Sequence, residues 1–435
     1  MDLYAVTGRP ILHSRSPQMQ NAAFAFLSID AKYLRIAAES AKEALATAAI
    51  LGVKGMNITS PFKEEFAALA DKLDASVGKT ASVNCITINS GKITGYNTDT
   101  YGVAQALVQN GVKLKGARAC VLGAGGAARS AVAALMGEGA QVSVMNRTIG
   151  KAKEIAETFG CSYCGLSNPD LEKMIHEADV IVSALSTSEE IIPARLLSAT
   201  TSVFDANYSS DSKLSAAARK KGCEVIDARE WLLFQGVKSF EIFTGKKAPI
   251  EAMREALYAP AQKNVAGNIV LTGFMGTGKS VVGKEIAARS GMSIVDTDVN
   301  IEKKAGAAIR EIFAKSGEAK FRELECSEIA ALAGSKNSVI ACGGGAVLDL
   351  QNVKALKELG VVVLLCADLK AILGRIKNPA SRPLFSKGNP EDAARKLFLE
   401  RIPAYASSAD LVVGVDSKNP KQNAEVVLRE ANYAR

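Results

Sequence analysis

Two glycine-rich sequences that can bind phosphate stand in this chain, each directly after an apolar run typical of a buried strand. The first follows residues 118–122 and reads Gly123-Ala124-Gly125-Gly126-Ala127. The second follows residues 268–272 and reads Gly273-Phe274-Met275-Gly276-Thr277-Gly278-Lys279-Ser280. Glycines let a strand-to-helix turn close tightly, so that backbone N–H groups and the helix N-terminus can hold a phosphate. The chain therefore has two predicted nucleotide sites, about 150 residues apart.

The first glycine-rich sequence favours a dinucleotide that carries a 2′-phosphate. A helix is expected over 127–137 and a second strand over 141–145, after which a free ribose 2′-hydroxyl would call for Asp or Glu. The chain has Arg147 there instead, which favours NADP over NAD. The alternative interpretation is that Arg147 is a solvated surface residue. We predict that NADP(H) is bound by Gly123, Gly125, Gly126, Ala127, Asn146, Arg147 and Thr148.

Three polar clusters lie upstream, each at the end of a strand-like run, where α/β sheets bind their ligands. Two hydroxyls one residue apart, as on Ser14 and Ser16, can hold a carboxylate. A Lys and an Asp that meet at a carbonyl can manage the proton that accompanies a hydride. Each cluster alone is more typical of a helix cap or a turn. The clusters read His13-Ser14-Arg15-Ser16-Pro17, Asn57-Ile58-Thr59-Ser60-Pro61-Phe62-Lys63 and Gly95-Tyr96-Asn97-Thr98-Asp99.

The second glycine-rich sequence is a complete GxxxxGKS phosphate loop. Its backbone at Gly276, Thr277 and Gly278 would cradle the phosphates. Lys279 would reach the β- and γ-phosphates, and Ser280 would hold Mg²⁺. The motif alone does not distinguish a GTPase, an ATPase and a kinase, and the sequence has no NKxD motif for guanine.

Acidic and basic residues after the phosphate loop favour a small-molecule kinase. Asp296 and Asp298 close a short apolar run, so we expect both carboxylates on one side of a strand near the phosphates. Several arginines follow in a domain of only about 170 residues, which is typical of kinases of the nucleoside-monophosphate type. These arginines are Arg322, Arg375, Arg382 and Arg401.

The elements that must position these residues alternate between strand-like and helical patterns, which predicts an α/β fold with parallel sheets. Strands are expected at 3–7, 54–59, 118–122, 141–145, 180–184, 268–272, 339–341 and 361–365. We expect an α/β substrate domain over 1–103 with a return helix near 238–258. A Rossmann domain over 104–237, a linker at 259–267 and a P-loop α/β/α domain over 268–435 would complete the chain.

Composition excludes several classes of protein. The net charge of +8 over 435 residues is not gathered into basic blocks, which argues against nucleic-acid binding and suits small anionic substrates. No apolar run reaches the roughly 18 residues of a membrane span, and the start lacks the pattern of a signal peptide, so we predict a cytoplasmic protein. Cys161 and Cys164 form a lone CxxC, which favours structural thiols. With only His13 and His176, a histidine triad or histidine-rich metal site is not expected.

From residue 3 to about 257 the chain resembles the shikimate dehydrogenase family. The resemblance rests on the three clusters and on Ser82-Val83-Asn84, Phe204-Asp205-Ala206-Asn207-Tyr208, Gln235-Gly236 and Ser239-Phe240-Glu241. It implies reversible reduction of 3-dehydroshikimate by NADPH, with Lys63 and Asp99 as the catalytic pair. It also implies that the substrate carboxylate and ring hydroxyls contact Ser14, Ser16, Thr59, Asn84 and Gln235, with the two serines on the carboxylate.

Two departures from this family's pattern lie near the expected nicotinamide and substrate positions. The chain reads Ser209-Ser210-Asp211-Ser212 where the family often has Pro and Thr, and Ala228 where it usually has Gly. A quinate/shikimate dehydrogenase is the alternative, although Arg147 argues against its NAD-dependent versions. A further alternative makes one half of the chain a regulatory ligand sensor or structural module without catalytic activity.

From about residue 267 to the end the chain resembles shikimate kinase. The resemblance implies that Asp298, Arg322, Arg401 and the 343–345 glycine turn bind shikimate, with the arginines on its carboxylate. Asp298 would orient or deprotonate the 3-hydroxyl. Asp296 would act on Mg²⁺ through water, Arg375 would lie against adenine, and Arg382 would meet the transferring phosphoryl group from a lid at 377–390.

Together the two resemblances predict a bifunctional enzyme that uses NADP(H), ATP and Mg²⁺. It would reduce 3-dehydroshikimate to shikimate and then phosphorylate shikimate, two consecutive steps of chorismate and aromatic amino acid biosynthesis. Its partners would be these small molecules, and the sequence predicts no particular oligomeric state.

Overall fold

The computed structural model describes residues 1–166, 170–185, 191–207, 212–260, 267–375 and 389–433. Several predicted features lie outside these ranges. They are Tyr208 with the altered segment 209–211, most of the predicted linker, Arg382 and most of the predicted lid. In the part of the chain that is described, no helix has both the length and the apolar character needed to cross a membrane.

The first 110 residues alternate strands and helices, as their pattern predicts. Helix α2 shows the local reason: Ser40 accepts a hydrogen bond from the Glu43 N–H at its start, and Gly52 ends it with a left-handed φ of 70°. The elements are β1 (Asp2–Gly8), α1 (Ser16–Phe26), β2 (Ala31–Ala37), α2 (Ala41–Leu51), β3 (Val53–Ile58), α3 (Lys63–Leu69), β4 (Lys72–Leu73), β5 (Cys85–Asn89), β6 (Lys92–Tyr96) and α4 (Asp99–Gln109).

The next segment repeats the strand–helix pattern and ends in two helices, where one return helix was expected. Its elements are β7 (Arg118–Leu122), α5 (Gly126–Gly137), β8 (Gln141–Asn146), α6 (Ile149–Phe159), β9 (Ser162–Gly165), α7 (Asp170–His176), β10 (Val180–Ser183), β11 (Ser202–Asp205), α8 (Lys213–Lys221), β12 (Glu224–Ile226), α9 (Arg229–Thr244) and α10 (Ile250–Tyr258).

The last segment begins with the strand of the phosphate loop and ends in a long helix. Its elements are β13 (Asn268–Thr272), α11 (Lys279–Ser290), β14 (Ser293–Asp296), α12 (Thr297–Ala305), α13 (Ile309–Ala331), β15 (Ser338–Ala341), α14 (Leu350–Leu359), β16 (Gly360–Cys366), α15 (Leu369–Arg375), α16 (Pro390–Ser408), β17 (Leu411–Gly414) and α17 (Pro420–Tyr433).

By its internal contacts the chain divides into two compact units. The first unit contains Met1–Pro17, Asp30–Phe62 and Pro260–Arg435, and the second contains Gln18–Ile29 and Lys63–Ala259. The first unit therefore combines both ends of the chain. The division into domains predicted from the sequence stays a prediction, and the two units are described separately below.

The first unit is built on parallel strands in the order β14-β15-β13-β16-β17-β2-β1-β3. Strands β13 and β15 are buried along their whole length, as expected for a parallel sheet covered on both faces. Strand β17 pairs with β2 in parallel, with Val412 opposite Ile36 and Val413 opposite Ala37. The sheet that carries the phosphate loop thus continues into the strands at the start of the chain.

The second unit contains a doubly wound parallel sheet in the order β12-β11-β10-β7-β8-β9. Strand β7 lies between β8 and β10, so successive crossovers leave it in opposite directions. Ligands of such sheets bind beyond the carboxyl end of the strand at this switch point. The glycine-rich turn at 123–127 follows β7 directly, and the predicted Rossmann fold is confirmed.

One part of the second unit departs from the expected parallel arrangement. Strands β5 and β6 pair antiparallel, and β4 pairs parallel to β6. The connection between β5 and β6 is the pair Ser90 and Gly91, with φ of 49° and 77°. Two successive residues with positive φ form the tight turn that joins neighbouring antiparallel strands. A chain that turns back so sharply cannot make the long crossover that a parallel pair requires.

Candidate active sites

Lys63 and Asp99, predicted as a catalytic pair, are in direct contact. They begin helices α3 and α4, and the distance from Lys63 Nζ to Asp99 Oδ2 is 2.5 Å. The side chains are 22% and 9% exposed, so the pair is shielded but reachable. An ammonium group held by a carboxylate at the edge of solvent can give up a proton to a carbonyl oxygen and be reprotonated.

A buried hydrogen-bond network lies beside this pair, at the residues just before strand β5 and helix α4 and on helix α9. Asn84 Oδ1 accepts the Thr98 N–H at 2.7 Å, and Asn84 Nδ2 donates to Thr98 Oγ1 at 3.1 Å. Thr98 Oγ1 lies 3.1 Å from Ser239 Oγ and 3.5 Å from Gln235 Oε1. A Cβ on Gly102 would stand 3.0 Å from Gln235 Cβ, so glycine is what lets α4 and α9 approach. The predicted residues Asn84 and Gln235 are therefore brought together.

Trp231 is a contact of the predicted catalytic pair that the sequence analysis did not identify. Its Nε1–H donates to Asp99 Oδ1 at 3.3 Å, while Lys63 occupies the other carboxylate oxygen. The ring is 7% exposed and packs on Phe204 with ring centroids 5.8 Å apart. Asp99 is thus held from both sides. Trp231 is the only tryptophan in the chain, which was the sequence feature that could have drawn attention to it.

Replacing Trp231 with phenylalanine is expected to lower the kcat of the NADPH reaction about three- to tenfold, because Asp99 loses one hydrogen bond while a ring remains against Phe204. Steady-state kinetics measures this, and the KM values should change less than kcat. The ATP reaction of the same variant is the control and should match the wild type. An unchanged kcat would show that the indole N–H does not orient Asp99.

The glycine-rich turn after β7 has the form that a pyrophosphate site needs. Gly123 has a φ of 112°, and a Cβ there would stand 3.1 Å from the Ala184 carbonyl oxygen. Gly125 precedes α5, and a Cβ on Gly126 would meet Ser82 Oγ at 3.2 Å. Ala127 lies in the first turn of α5, so the helix N-terminus follows the glycines as predicted.

The segment after β8 is available to a nucleotide ribose. Asn146 Nδ2 donates to the Thr148 carbonyl at 3.0 Å, which folds the segment over the end of the strand. Arg147 is exposed, and its guanidinium is in reach of solvent-borne phosphate. This donor set fits a dinucleotide with a 2′-phosphate, and which ligand Arg147 meets stays a prediction.

In the first unit, Ser14 lies between β1 and α1 and Ser16 is the first residue of α1, and both side chains are buried. Ser14 Oγ donates to Ser16 Oγ at 3.3 Å, and both residues are about 5% exposed or less. Two neighbouring hydroxyls can donate to the two oxygens of one carboxylate. Thr59 follows β3, and its N–H donates to the Thr7 carbonyl at 2.9 Å. The sequence analysis assigned these three polar residues to a substrate site, and that assignment stays a prediction.

The phosphate loop links β13 to α11 in the first unit. Gly273, Gly276 and Gly278 have φ of 139°, 83° and 91°, which only glycine adopts readily. Lys279 Nζ donates to the carbonyls of Gly273 and Phe274 at 2.8 and 3.1 Å, so the lysine lies over its own loop. Thr277, Lys279 and Ser280 line a cavity of about 460 Å³. A glycine-rich cradle with a lysine across it fits the phosphates of a nucleoside triphosphate.

The expectation that Asp296 and Asp298 share one side of a strand is wrong. Strand β14 ends at Asp296, which caps α12 by accepting the Val299 N–H at 3.3 Å, and Asp298 lies in the first turn of α12. An Asp at a helix start stabilises the helix over the strand, so the alternation of strand side chains stops there. Both carboxylates nevertheless line the cavity of the phosphate loop.

A second cavity of about 340 Å³ adjoins the phosphate-loop cavity. The two cavities share Met275, Asp298 and Gly344 in their linings. The second cavity also contains the predicted arginines Arg322 and Arg401. A triphosphate in the first cavity and a small anion in the second would therefore meet at Asp298.

Glu325 is the functional candidate in this cavity that the sequence analysis missed. Its side chain is 1% exposed, and Glu325 Oε2 accepts from Arg322 Nη1 at 2.6 Å. Glu318 accepts from the same guanidinium at 2.9 Å. A charged residue on the buried face of α13, four residues after Phe321, was the available indication. Arg322 is thus oriented by two carboxylates on its own helix.

Two further contacts shape the anion end of the second cavity. Arg401 Nη1 donates to the Gly344 carbonyl at 3.1 Å, and Tyr405 Oη donates to the same carbonyl at 2.5 Å. Burial raises the pKa of Tyr405 to about 12, so its hydroxyl keeps its proton at neutral pH. Glu325 Oε1 and Arg401 Nε are buried and have no hydrogen-bond partner among the described residues. They leave polar atoms available to a ligand.

The pKa of Glu325 reflects the burial and the charges around this cavity. Burial raises the pKa of its carboxyl above the usual range, Arg322 opposes this, and Asp298 adds to it. Gly343 sits between the two carboxyl groups, since a Cβ there would stand 2.6 Å from Asp298 Oδ1 and 2.7 Å from Glu325 Oε1. Glycine is therefore required by space at position 343.

Arg375, predicted to lie against adenine, lines the phosphate-loop cavity. Its Nη2 donates to the Val415 carbonyl and to Asp416 Oδ1, both at 3.2 Å.

The two cysteines of the lone CxxC lie in different environments, since Cys164 is buried in a hydrophobic core and Cys161 is half-buried. Across the described ranges, no group of three or more His, Cys, Asp or Glu residues could hold a metal ion.

The fold and these sites define a dinucleotide-binding oxidoreductase followed by a P-loop phosphotransferase. Family models agree in both halves. "Shikimate dehydrogenase substrate binding domain" matches residues 6–86, "Shikimate / quinate 5-dehydrogenase" 103–205, "Shikimate 5'-dehydrogenase C-terminal domain" 232–258 and "Shikimate kinase" 275–432.

Individual relatives match the first of these halves. Shikimate dehydrogenase (NADP(+)) from Natronomonas pharaonis is 40% identical over 265 residues, which cover 59% of this chain and 98% of the relative. Shikimate dehydrogenase from Aquifex aeolicus has a TM-score of 0.56 at 34% identity, covering 59% of this chain and 98% of its own. The Thermus thermophilus enzyme, solved with NADP(H) and shikimate, has a TM-score of 0.54 at 32% identity and the same coverage. This chain belongs to the shikimate dehydrogenase family and carries a shikimate kinase domain after it, which confirms both predicted resemblances.

Proposed function

We propose that the chain catalyses two consecutive reactions of the shikimate pathway. The dehydrogenase half reduces 3-dehydroshikimate to shikimate with NADPH, and the kinase half transfers the γ-phosphoryl group of ATP to the 3-hydroxyl of shikimate. The NADP(+) in the name of the Natronomonas pharaonis relative supports the choice of cofactor. The proposal places this chemistry in the cytoplasm, as predicted from the sequence.

The observation that carries the proposal is the pair of adjoining cavities that meet at Asp298. The phosphate loop opens onto one cavity, and the other presents Arg322 and Arg401. A small carboxylic acid with a hydroxyl group is the acceptor that such a cavity suits, because arginine binds carboxylates through paired N–H groups. The same chain holds a dehydrogenase whose family product is such a hydroxy acid.

For the dehydrogenase half we assign the proton to Lys63. NADPH, when bound, supplies the hydride that adds to C3 of the substrate. Lys63 Nζ gives the proton that the ketone oxygen takes up, and Asp99 holds the ammonium group in place at 2.5 Å. Lys63 then regains a proton from solvent, to which it is partly exposed. The ketone has gained one hydride and one proton, and the product is a hydroxyl group.

The substrate-binding roles in this half are assigned by the family resemblance. Ser14 and Ser16 donate to the substrate carboxylate, which their neighbouring hydroxyls suit. Thr59, Asn84 and Gln235 take its carboxylate or ring hydroxyls. The network of Asn84 with the N-terminus of α4 supports this assignment, because it holds the amide in one orientation.

For the kinase half we assign activation of the acceptor to Asp298. Its carboxylate orients the 3-hydroxyl and accepts its proton as the O–P bond forms and ADP leaves. Lys279 stabilises the charge on the transferring phosphoryl group. Mg²⁺, when bound, adds positive charge at the phosphates, and Ser280 and Asp296 are the residues that would hold it. The role of Arg382 lies outside the described residues and stays a prediction.

A coupled assay with separate readouts tests the whole proposal. Purified protein with 3-dehydroshikimate, NADPH, ATP and Mg²⁺ should consume NADPH and form ADP in equal amounts. Omitting ATP should stop the sequence at shikimate, and omitting NADPH should abolish ADP formation until shikimate is added. A product other than shikimate 3-phosphate would contradict the proposal.

The same assay separates the alternatives. Faster oxidation of quinate than of shikimate by NADP⁺ would favour a quinate dehydrogenase joined to a kinase. Loss of one reaction with retention of its ligand's binding would favour a regulatory role for that half.

A further inference from the structure

The loop that carries Ser14 and Ser16 is held by a residue near the end of the chain. We name residues 9–16 the serine loop. Glu430 Oε2, on α17, accepts the N–H groups of Ile11 and Leu12 at 2.7 and 3.0 Å. Glu430 is fully buried. Its carboxyl group therefore satisfies two backbone donors that water cannot reach.

A second support reaches the other end of the serine loop and links it to the kinase half. Arg35, on β2, donates to the Ser14 carbonyl through Nε at 3.0 Å and through Nη2 at 2.6 Å. The remaining Arg35 Nη1 donates to the Asp410 carbonyl at 3.3 Å. Asp410 is itself fixed, because its Oδ2 accepts the Val362 N–H at 2.9 Å. The backbone of Ser14 is thus tied to the start of β17.

Ion pairs hold the supporting elements against the strands at the start of the chain. Arg429, next to Glu430, reaches Glu39 Oε1 at 2.7 Å, and Arg9 reaches Glu39 Oε2 at 3.1 Å. Burial acts to raise the pKa of Glu39, but the hydrogen bonds and charge of Arg429 and Arg9 hold it below its usual value. Lys418 pairs with Glu43 where both side chains are nearly buried.

The geometry within the serine loop transmits this support to the two hydroxyls. The Ser14 N–H donates to the Ile11 carbonyl at 2.9 Å, so the residue that Glu430 holds also anchors Ser14. The Ser16 N–H donates to Ser14 Oγ at 3.4 Å. A shift of the Ile11 backbone would therefore move both hydroxyls. A misplacement of about 1 Å is enough to impair a site built for one geometry.

We propose that Glu430, a residue of the kinase half, is a positioning residue for the substrate-binding serine loop of the dehydrogenase half. The proposal rests on the assignment of Ser14 and Ser16 to the substrate carboxylate made above. It makes the dehydrogenase site dependent on a helix that the family's dehydrogenase models do not include, since those matches end at residue 258.

The test compares two matched substitutions on α17 in the full-length chain. Glu430→Gln keeps the size of the side chain but replaces the carboxylate with a neutral amide, whose oxygen makes weaker hydrogen bonds to the N–H groups of Ile11 and Leu12 than the charged Oε2 does. It should raise the KM for the ketone substrate of the dehydrogenase half about tenfold and leave kcat within about threefold. Glu425→Gln, on the same helix, alters an exposed ion pair with Arg289 and should leave both constants at the wild-type value.

Two readouts separate positioning from a general loss of structure. The kinase constants of Glu430→Gln should equal those of Glu425→Gln, because Glu430 lies outside both cavities of the kinase half. Discrimination between shikimate and an analogue with hydroxymethyl in place of the carboxylate should fall, because the serine loop acts on that group. An equal loss for both substrates would overturn the proposal.

A double-mutant cycle tests whether Glu430 acts through the hydroxyls of Ser14 and Ser16. In a chain that carries Ser14→Ala and Ser16→Ala, adding Glu430→Gln should raise KM no further, since the hydroxyls it positions are gone. A further tenfold rise would show that Glu430 acts elsewhere. A wild-type chain with no reductase activity would refute the proposed function itself. An active wild type with an unaffected Glu430→Gln variant would refute only the positioning role.

Discussion

Replacing Lys63 with alanine is expected to lower the kcat of the NADPH reaction by about 10²–10⁴-fold, the usual contribution of a positioned proton donor. The reason is geometric: Lys63 Nζ is the partner of Asp99 Oδ2 at 2.5 Å, and the pair is only partly open to solvent. Asp99→Asn should cause a loss of similar size. The double substitution should be little worse than either single one, because residues that act as a unit are not additive.

The matched control for Lys63 is another Lys–Asp pair in the same unit. Lys92 and Asp71 are 3.3 Å apart at the surface, and Lys92→Ala removes that ion pair without touching the proposed site. Its kcat should equal the wild-type value. The ATP reaction of Lys63→Ala should also be unchanged, and thermal unfolding checks that the variant is folded. Retention of more than about a tenth of wild-type kcat would refute the assigned role.

Replacing Lys279 with alanine is expected to lower kcat/KM of the ATP reaction by about 10³-fold. The backbone cradle at Gly273, Gly276 and Gly278 would remain and could still bind phosphate. The positive charge over the transferring phosphoryl group would be lost, and with it the stabilisation of the transition state. Measurement of ADP formation with shikimate in excess gives the size of the effect.

Lys284 provides the control for this second substitution. It lies on the same helix, α11, is exposed, and does not line either kinase cavity. Lys284→Ala should keep both reactions at wild-type rates, while Lys279→Ala should keep only the NADPH reaction. If Lys279→Ala lost both activities, the two active sites would not be independent.

The sequence predicted the elements and the phosphate loops because both depend on local pattern. Strands β7 and β13 occupy the predicted residues, and α5 begins within one residue of its expected start. Apolar runs and glycine turns are patterns of residues close together in sequence, and strand and helix preferences act over the same short sequence distance. Asp298 shows the limit, since a capping residue converted the expected strand into a helix.

The contacts that complete the candidate sites were not predictable in this way. Trp231 meets Asp99 across 132 positions of sequence, and Glu430 meets Ile11 across 419. Such pairs depend on which elements the fold brings together. The residues around a single Trp or Glu in the sequence do not indicate which distant residue it will contact. Glu325 could have been identified more readily from the sequence, because a carboxylate on an apolar helix face needs an ionic partner.

The pairing of β2 with β17 has a consequence for the order in which the protein is made. On the ribosome, β2 is complete long before β17 is synthesised, since Arg35 precedes Asp410 by 375 residues. At about 5–20 residues per second, that interval is roughly 20–75 s. Throughout it, β2 is an open edge whose unpaired backbone groups can recruit another strand. The edge of β2 therefore stays unpaired until β17 has been synthesised, and chaperone binding to β2 during translation would protect that edge until the two strands pair.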